Sequence, residues 1–196
     1  MSTTSLNRPS ETQDLSAIVL EQADRLFRGE VTRQRMSDAD GGAWPSAIWQ
    51  AVERAGLPLA LVPEALGGAG LSPIDALRLI RRVGYHTLPI PLPETMFAAA
   101  LWAEAAGAPA QGTLSLGPTA VDQSIGIARS ARGFVLNGRA ERIPWAAQVD
   151  HILVFARDSS GAERGIPTKP LRFRRTAGDI LGNPKEISME LRRWRE

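Results

Sequence analysis

Apolar residues recur at helical spacing through most of the first hundred positions. In residues 11–28, Leu15, Ile18, Val19, Ala23, Leu26 and Phe27 follow a 3.6-residue period, which predicts an amphipathic helix. Pro45 suits a helix start, with Ile48, Trp49, Val52 and Ala55 on one face and Gly56 as the stop. Ser72-Pro73-Ile74-Asp75 is a stronger start signal. Serine caps, proline fits the first turn, and an acid at the third position meets the positive end of the helix. Leu77, Ile80 and Val83 continue that face until Gly84. The three prolines of LPIPLPET remove amide donors and interrupt the pattern. A last helix is expected from about Glu94 to Ala106, ended by Gly107.

Beyond Gly107 the period changes. TLSL, SIGIA, GFVLN, HILVFA and ISMEL are short β-type runs between turns. Asn137-Gly138 predicts a hairpin into the RAERI run, because both central residues of a type I′ turn need positive φ. The expected fold class is α+β: a helical domain over residues 1–110, then an antiparallel, β-barrel-like domain over 111–196. No internal repeat or low-complexity segment breaks this division.

Composition narrows the chemistry. At 196 residues and 22% charged, the chain is an ordinary globular sequence. With no cysteine and two histidines, it offers no disulfide, thiolate nucleophile or cysteine-ligated zinc, and no metal site is expected. The first residues lack the apolar core of a signal peptide, and no run approaches a membrane span, so a cytoplasmic location is expected. Residues 1–110 carry a net charge of −3 and residues 111–196 a net charge of +5. A basic β half could meet an anionic ligand or a nucleic acid. The arginines are not interleaved with aromatics as a single-strand binder needs, so a solvated β surface is favoured and no nucleic-acid partner is expected.

Most local tests for chemistry return a structural reading. Gly67-Gly68-Ala69-Gly70 lacks the Gly-x-Gly-x-x-Gly spacing, and also the lysine and hydroxyl of a nucleotide loop. It reads as a tight turn before a capped helix. Ser115 is not in a Gly-x-Ser-x-Gly elbow and reads as a strand residue. Asp75 reads as a helix-start residue, His86 as one near a helix C-terminus, and Trp44 and Trp49 as packing residues. Nothing in the spacing pairs Glu141 with Asp150. No residue is assigned a catalytic role.

A resemblance adds what the spacing does not. Ala55-Gly56-Leu57, Val62-Pro63-Glu64, the Gly67–Gly70 loop and Leu71-Ser72 run in the order of the N-terminal domain of the acyl-CoA dehydrogenase family. Downstream, the GFVLNG hairpin at 133–138, the loop at 142–146 and the strand at 150–157 resemble that family's middle β domain. LPIPLPETMFAAAL is similar to a variant of divergent members, and the likeness covers roughly residues 11–191.

The family implies FAD and oxidation of the α,β bond of an acyl-CoA thioester. A glutamate takes the α proton and flavin N5 accepts the β hydride. The resemblance places the cofactor-binding residues at Leu116, Gly117, Ile143, Pro144 and Trp145. Family members continue into a C-terminal helical domain that usually supplies the base. This chain ends at LRRWRE, so a partial chain, inactive by itself, is expected. The family's Thr-Glu-Pro…Gly-Ser flavin loop corresponds to LSLGPTAVDQS, in which Pro118 is the matching residue. Its Trp-Ile-Thr/Ser segment maps to Arg142-Ile143-Pro144, losing the aromatic and the hydroxyl, with Trp145 beside them as a substitute. Three roles follow: a flavin-dependent acyl-CoA dehydrogenase chain, a non-catalytic partner subunit of a heteromeric one, or a plain acyl-CoA-binding module. Apolar surface that would face the missing bundle predicts a homo- or hetero-oligomer, in which a companion subunit would carry the C-terminal helical domain.

Overall fold

The computed structural model describes residues 9–117, 124–130, 133–138, 140 and 143–168, with side chains described within 16–117, 124–128, 135–138, 140 and 143–162. The expected ISMEL strand lies outside the described residues. The chain divides into two compact units, one up to Pro93 and one from Glu94. The change from helix to strand comes later, between Ala106 and Leu114. Compactness divides the chain before its last helix because that helix packs on the sheet.

The first unit holds four helices: α1 (Pro9–Glu30), α2 (Arg33–Asp40), α3 (Ser46–Arg54) and α4 (Pro73–Tyr85). α1 packs against α3 and α4. Phe27, Ile48, Val52 and Leu79 are fully buried, and burial of such side chains stabilises by about 1.5–3 kcal/mol each. Two departures from the apolar pattern are informative. α2 buries none of its residues, so its RQRMSDAD sequence carries no stripe to reveal it; Thr32 caps it instead. On α4 the inward face is Ala76, Leu79 and Val83, while Leu77 is 54% exposed. Leu77 lies about 200° around the helix from Leu79, so both cannot face inward.

Capping and charge lock α1 to α4. The Ser72 hydroxyl accepts from the Asp75 amide at 3.2 Å and donates to the Asp75 carboxylate at 2.6 Å. Ser16 on α1 donates to the same carboxylate oxygen at 2.9 Å, and Arg78 to the other at 2.8 Å. At the far end, Asp24 on α1 meets His86 Nε2 at 3.0 Å and Arg82 at 3.1 Å. His86 is therefore the C-cap residue of α4 and a tie to α1.

Between α3 and α4 two single turns of 3-10 helix, Leu57–Leu59 and Glu64–Leu66, lead into the glycine loop. Gly67 and Gly70 take φ of 84° and 59°, a region that favours glycine. Gly68 needs to be glycine for a different reason: a Cβ there would lie 2.0 Å from the Val62 carbonyl oxygen. Five consecutive amides, from Gly67 to Leu71, donate to the carbonyls of Glu64, Pro63, Leu59, Val62 and Ala60.

The second unit opens with α5 (Leu92–Ala106), which begins inside the proline-rich segment because Pro93 fits a first turn. Five strands follow: β1 (Leu114–Gly117), β2 (Ile125–Ser130), β3 (Gly133–Gly138), β4 (His151–Arg157) and β5 (Glu163–Thr168). The sheet order is β1-β4-β2-β3, with β5 also on β4. The helical part followed by a β part stands as expected, but the sheet is mixed rather than antiparallel. β1 and β2 run parallel to β4; β2–β3 and β4–β5 are antiparallel.

The hairpin expected at Asn137-Gly138 is corrected. Both residues lie in β3, paired with Gly126 and Ile125 of β2, and the β2–β3 connection joins Ser130 to Gly133. Gly138 meets a packing demand there, since a Cβ would lie 2.6 Å from the Ser124 carbonyl oxygen. β5 escaped the sequence reading because ERGIPT is polar and holds Pro167. β4 is apolar on both faces for a physical reason. Ile152, Val154 and Ala156 join one cluster with Ile125, Leu136, Ile143 and Val149. Leu153 and Phe155 join another, with Ala98 and Trp102 of α5.

Two outcomes test this account. Gly68→Ala should destabilise the first unit by about 2 kcal/mol or more, because backbone must move, whereas the open sides of Gly29 and Gly84 should tolerate alanine. Denaturant melts of the three variants compare them directly. The Asp75 carboxyl is held below its ordinary range, chiefly by the Ser72 hydroxyl, then by Ser16 and Arg78, against the opposing effect of burial. Its stabilisation is thus present above the unfolded-state pKa, about 3.9, and is lost as pH falls through the lower folded value. Asp75→Asn should flatten the acid limb of stability against pH; an unchanged limb would contradict the assignment.

Candidate functional site

Four of the five residues assigned to the cofactor fall in one corner of the second unit: Gly117 ends β1 against Ile143, in the turn it forms with Pro144 and Trp145. Leu116 is not brought into it; its side chain packs on the other face of β1, with Leu114, Leu153 and Ala98 of α5. β1 is positioned from several sides. Thr95 of α5 bonds both the amide and the carbonyl of Leu114 through its hydroxyl, at 3.0 Å each. The Asp150 carboxylate accepts from the amide and hydroxyl of Thr113 at 2.9 and 2.8 Å. The Ser115 hydroxyl donates to the Pro144 carbonyl at 2.7 Å.

The corner's polar capacity is small. Ile143 offers an apolar side chain, and Pro144 has no amide proton. The Ser115 hydroxyl is already bonded to Pro144, and Ile143 is buried in the sheet cluster. Trp145 takes φ of 57°, accepts at its carbonyl from the amides of Gln148 and Val149, and packs its half-buried ring against the same cluster. Around Gly117 the space is filled by Ile143, whose Cγ1 would lie 2.6 Å from an added Cβ. A flavin ring presents a polar edge that needs hydrogen-bond partners when buried. Among the described residues of this corner, the side chains fit that edge poorly: Trp145 offers one indole N–H, and the rest is apolar wall. Pro118 and Arg142 lie outside the described residues.

The other candidates resolve individually. Asp150 and Ser115 are fasteners of β1, while Glu141 lies outside the described residues. The glycine loop is no phosphate cradle, since its amides are taken by carbonyls of the preceding segment. Trp49 is buried and Trp44 packs on it with ring centroids 6.3 Å apart. One residue emerges only from the structure. Burial pushes the Glu94 carboxyl up, and its Oε2 is enclosed without a partner among the described residues. Its sequence signal, an acid in a helix's first turn, suggested only a helix start. Among the described residues no helix is long and apolar enough to cross a membrane.

Comparison with known proteins agrees with this architecture. No curated protein matches the chain in sequence. Among solved structures, a variant of the steroid ACAD Tcur3481-Tcur3483 matches with a TM-score of 0.67 and 22% identity, over 81% of this chain and 48% of that one. The ChsE4-ChsE5 complex from Mycobacterium tuberculosis matches with a TM-score of 0.64 and 20% identity, over 85% and 49%. PigA with FAD and proline matches with a TM-score of 0.63 and 14% identity, over 95% and 60%. At these identities the likeness is one of fold, and the chain spans about half the length of the first two solved chains. The model of the acyl-CoA dehydrogenase N-terminal domain matches residues 13–117 of the 196. The chain therefore belongs to the acyl-CoA dehydrogenase family.

Proposed function

We propose that this chain is a partner subunit of a heteromeric acyl-CoA dehydrogenase-type flavoenzyme, contributing its helical and β parts to an assembly whose redox chemistry lies on a companion chain. The observation that carries this reading is the corner at β1. The five assigned residues include no acid, no base and no hydroxyl, and the neighbouring Ser115 hydroxyl is bonded to Pro144. Holding a flavin of its own needs hydrogen-bond partners for the polar edge of the ring. The described side chains of the corner supply one free type of donor, the indole N–H of Trp145.

Two further observations support a partner. Two of the similar solved structures carry paired chain names, Tcur3481-Tcur3483 and ChsE4-ChsE5. Each unit also exposes large apolar side chains at helical spacing: Ile74 and Leu77 on α4, Phe97 and Leu101 on α5. In this reading the assembly is cytoplasmic, FAD is its cofactor and an acyl-CoA thioester its substrate. The competing reading, a redox-active chain binding its own FAD, would need more polar pairing for the ring than these residues offer.

Purified alone, the chain should show no acyl-CoA-dependent reduction of an electron acceptor. Mixed with a companion acyl-CoA dehydrogenase chain from the same source, it should form a larger species by native mass and gain that activity. Turnover by the isolated chain would overturn the proposal.

A further inference from the structure

We propose that the corner between β1 and the Ile143–Trp145 turn is a closed seam of the fold, in which the chain's own atoms fill the place that the family resemblance gives to a flavin ring. The seam supplies a physical reason for the non-redox role proposed above and rests on that role for its meaning, but its existence is testable on this chain alone.

Gly117 decides between two arrangements. A buried glycine at a strand end can keep space for a ligand to approach the backbone, or for a neighbouring side chain. Here the neighbour is Ile143. A methyl group on Gly117 would sit 2.6 Å from its Cγ1 and 2.7 Å from its Cδ1, well inside carbon–carbon contact distance. Ile143 cannot swing aside freely, being 7% exposed and held among Ile125, Leu136, Val149 and Ile152.

The polar groups close the seam in the same sense. The Pro144 carbonyl takes the Ser115 hydroxyl at 2.7 Å, across 29 residues of chain. The Trp145 carbonyl takes two amides of its own turn, and the Ile143 carbonyl accepts from Ala146 at 3.4 Å. The three carbonyls of the turn are thus paired within the protein. Seating a flavin ring here would require breaking the Ser115–Pro144 bond and moving a buried isoleucine. The turn then gains nothing in return from Pro144, which has no donor. Serine at 115 completes the device: its hydroxyl ties β1 to the turn directly, so the strand end needs no cofactor to order it.

The test is a double-mutant cycle read by thermal melting, with and without saturating FAD. Gly117→Ala should lower Tm by roughly 3–10 °C, the range for overpacking in a chain of this size. In an Ile143→Ala background the same change should cost less than a third as much, since the added methyl then has room. If Ile143→Ala does not fold, Ile143→Val reports a smaller coupling of the same sign, because valine lacks the Cδ1 at 2.7 Å but keeps the Cγ1. FAD should move the Tm of the unmodified chain by less than about 1 °C. Equal costs of Gly117→Ala in both backgrounds would overturn the seam, and so would a rise of several degrees on adding FAD. Failure to find a companion chain would overturn the partner role yet leave this coupling intact, so the two failures are distinguishable.

Discussion

The anchoring of β1 is the constraint on which the second unit depends. This strand has four residues, too few for a parallel ladder alone to fix firmly. It is fastened residue by residue: Thr113 to Asp150, Leu114 to Thr95, Ser115 to Pro144, and Gly117 under Ile143. Those four contacts bring α5, the start of β4 and the Ile143–Trp145 turn to one short strand. Fixing β1 also fixes the register of β4, which carries β1, β2 and β5 and is buried on both faces. The corner where a cofactor would be sought is thus also where the sheet is sewn together. Polar groups used for that sewing are not free for chemistry.

The first unit applies the same economy to its backbone. Its glycine loop holds five successive amides, an arrangement that elsewhere can cradle an anion. Here each amide reaches a carbonyl of the preceding segment, and Gly68 lies against Val62 because no side chain intervenes. The loop sets the position of Ser72, which caps α4, and Asp75 then ties α4 to α1. A sequence signature of the family is accounted for by chain geometry alone, with no ligand.

Much of this was legible in the sequence, and the failures have physical causes. Ser72-Pro73-Ile74-Asp75 announced α4 because capping is local chemistry, and the change from period 3.6 to short β runs placed the transition from helices to sheet. α2 was invisible because it buries nothing, and β5 because its residues have poor strand propensity and gain their pairing from β4. Asn137-Gly138 misled because a turn-forming pair can also serve a strand whose neighbour, at Ser124 and Ile125, passes too close for a Cβ. The sequence also brought Leu116, Gly117, Ile143, Pro144 and Trp145 forward as a group, through resemblance alone. It could not show the Ser115–Pro144 bond or the filling of the space at Gly117, because both depend on contacts 26–29 residues apart. The burial of Glu94 was equally hidden, since an acid at that position has an ordinary role in helix capping.

The central claim is that a member of a flavoenzyme family has closed its own cofactor corner and works as a partner. Its most direct test is the visible absorbance of the purified chain after incubation with FAD and desalting. The account predicts a protein spectrum with no flavin band. A retained band near one flavin per chain would contradict it and return the redox role to this subunit.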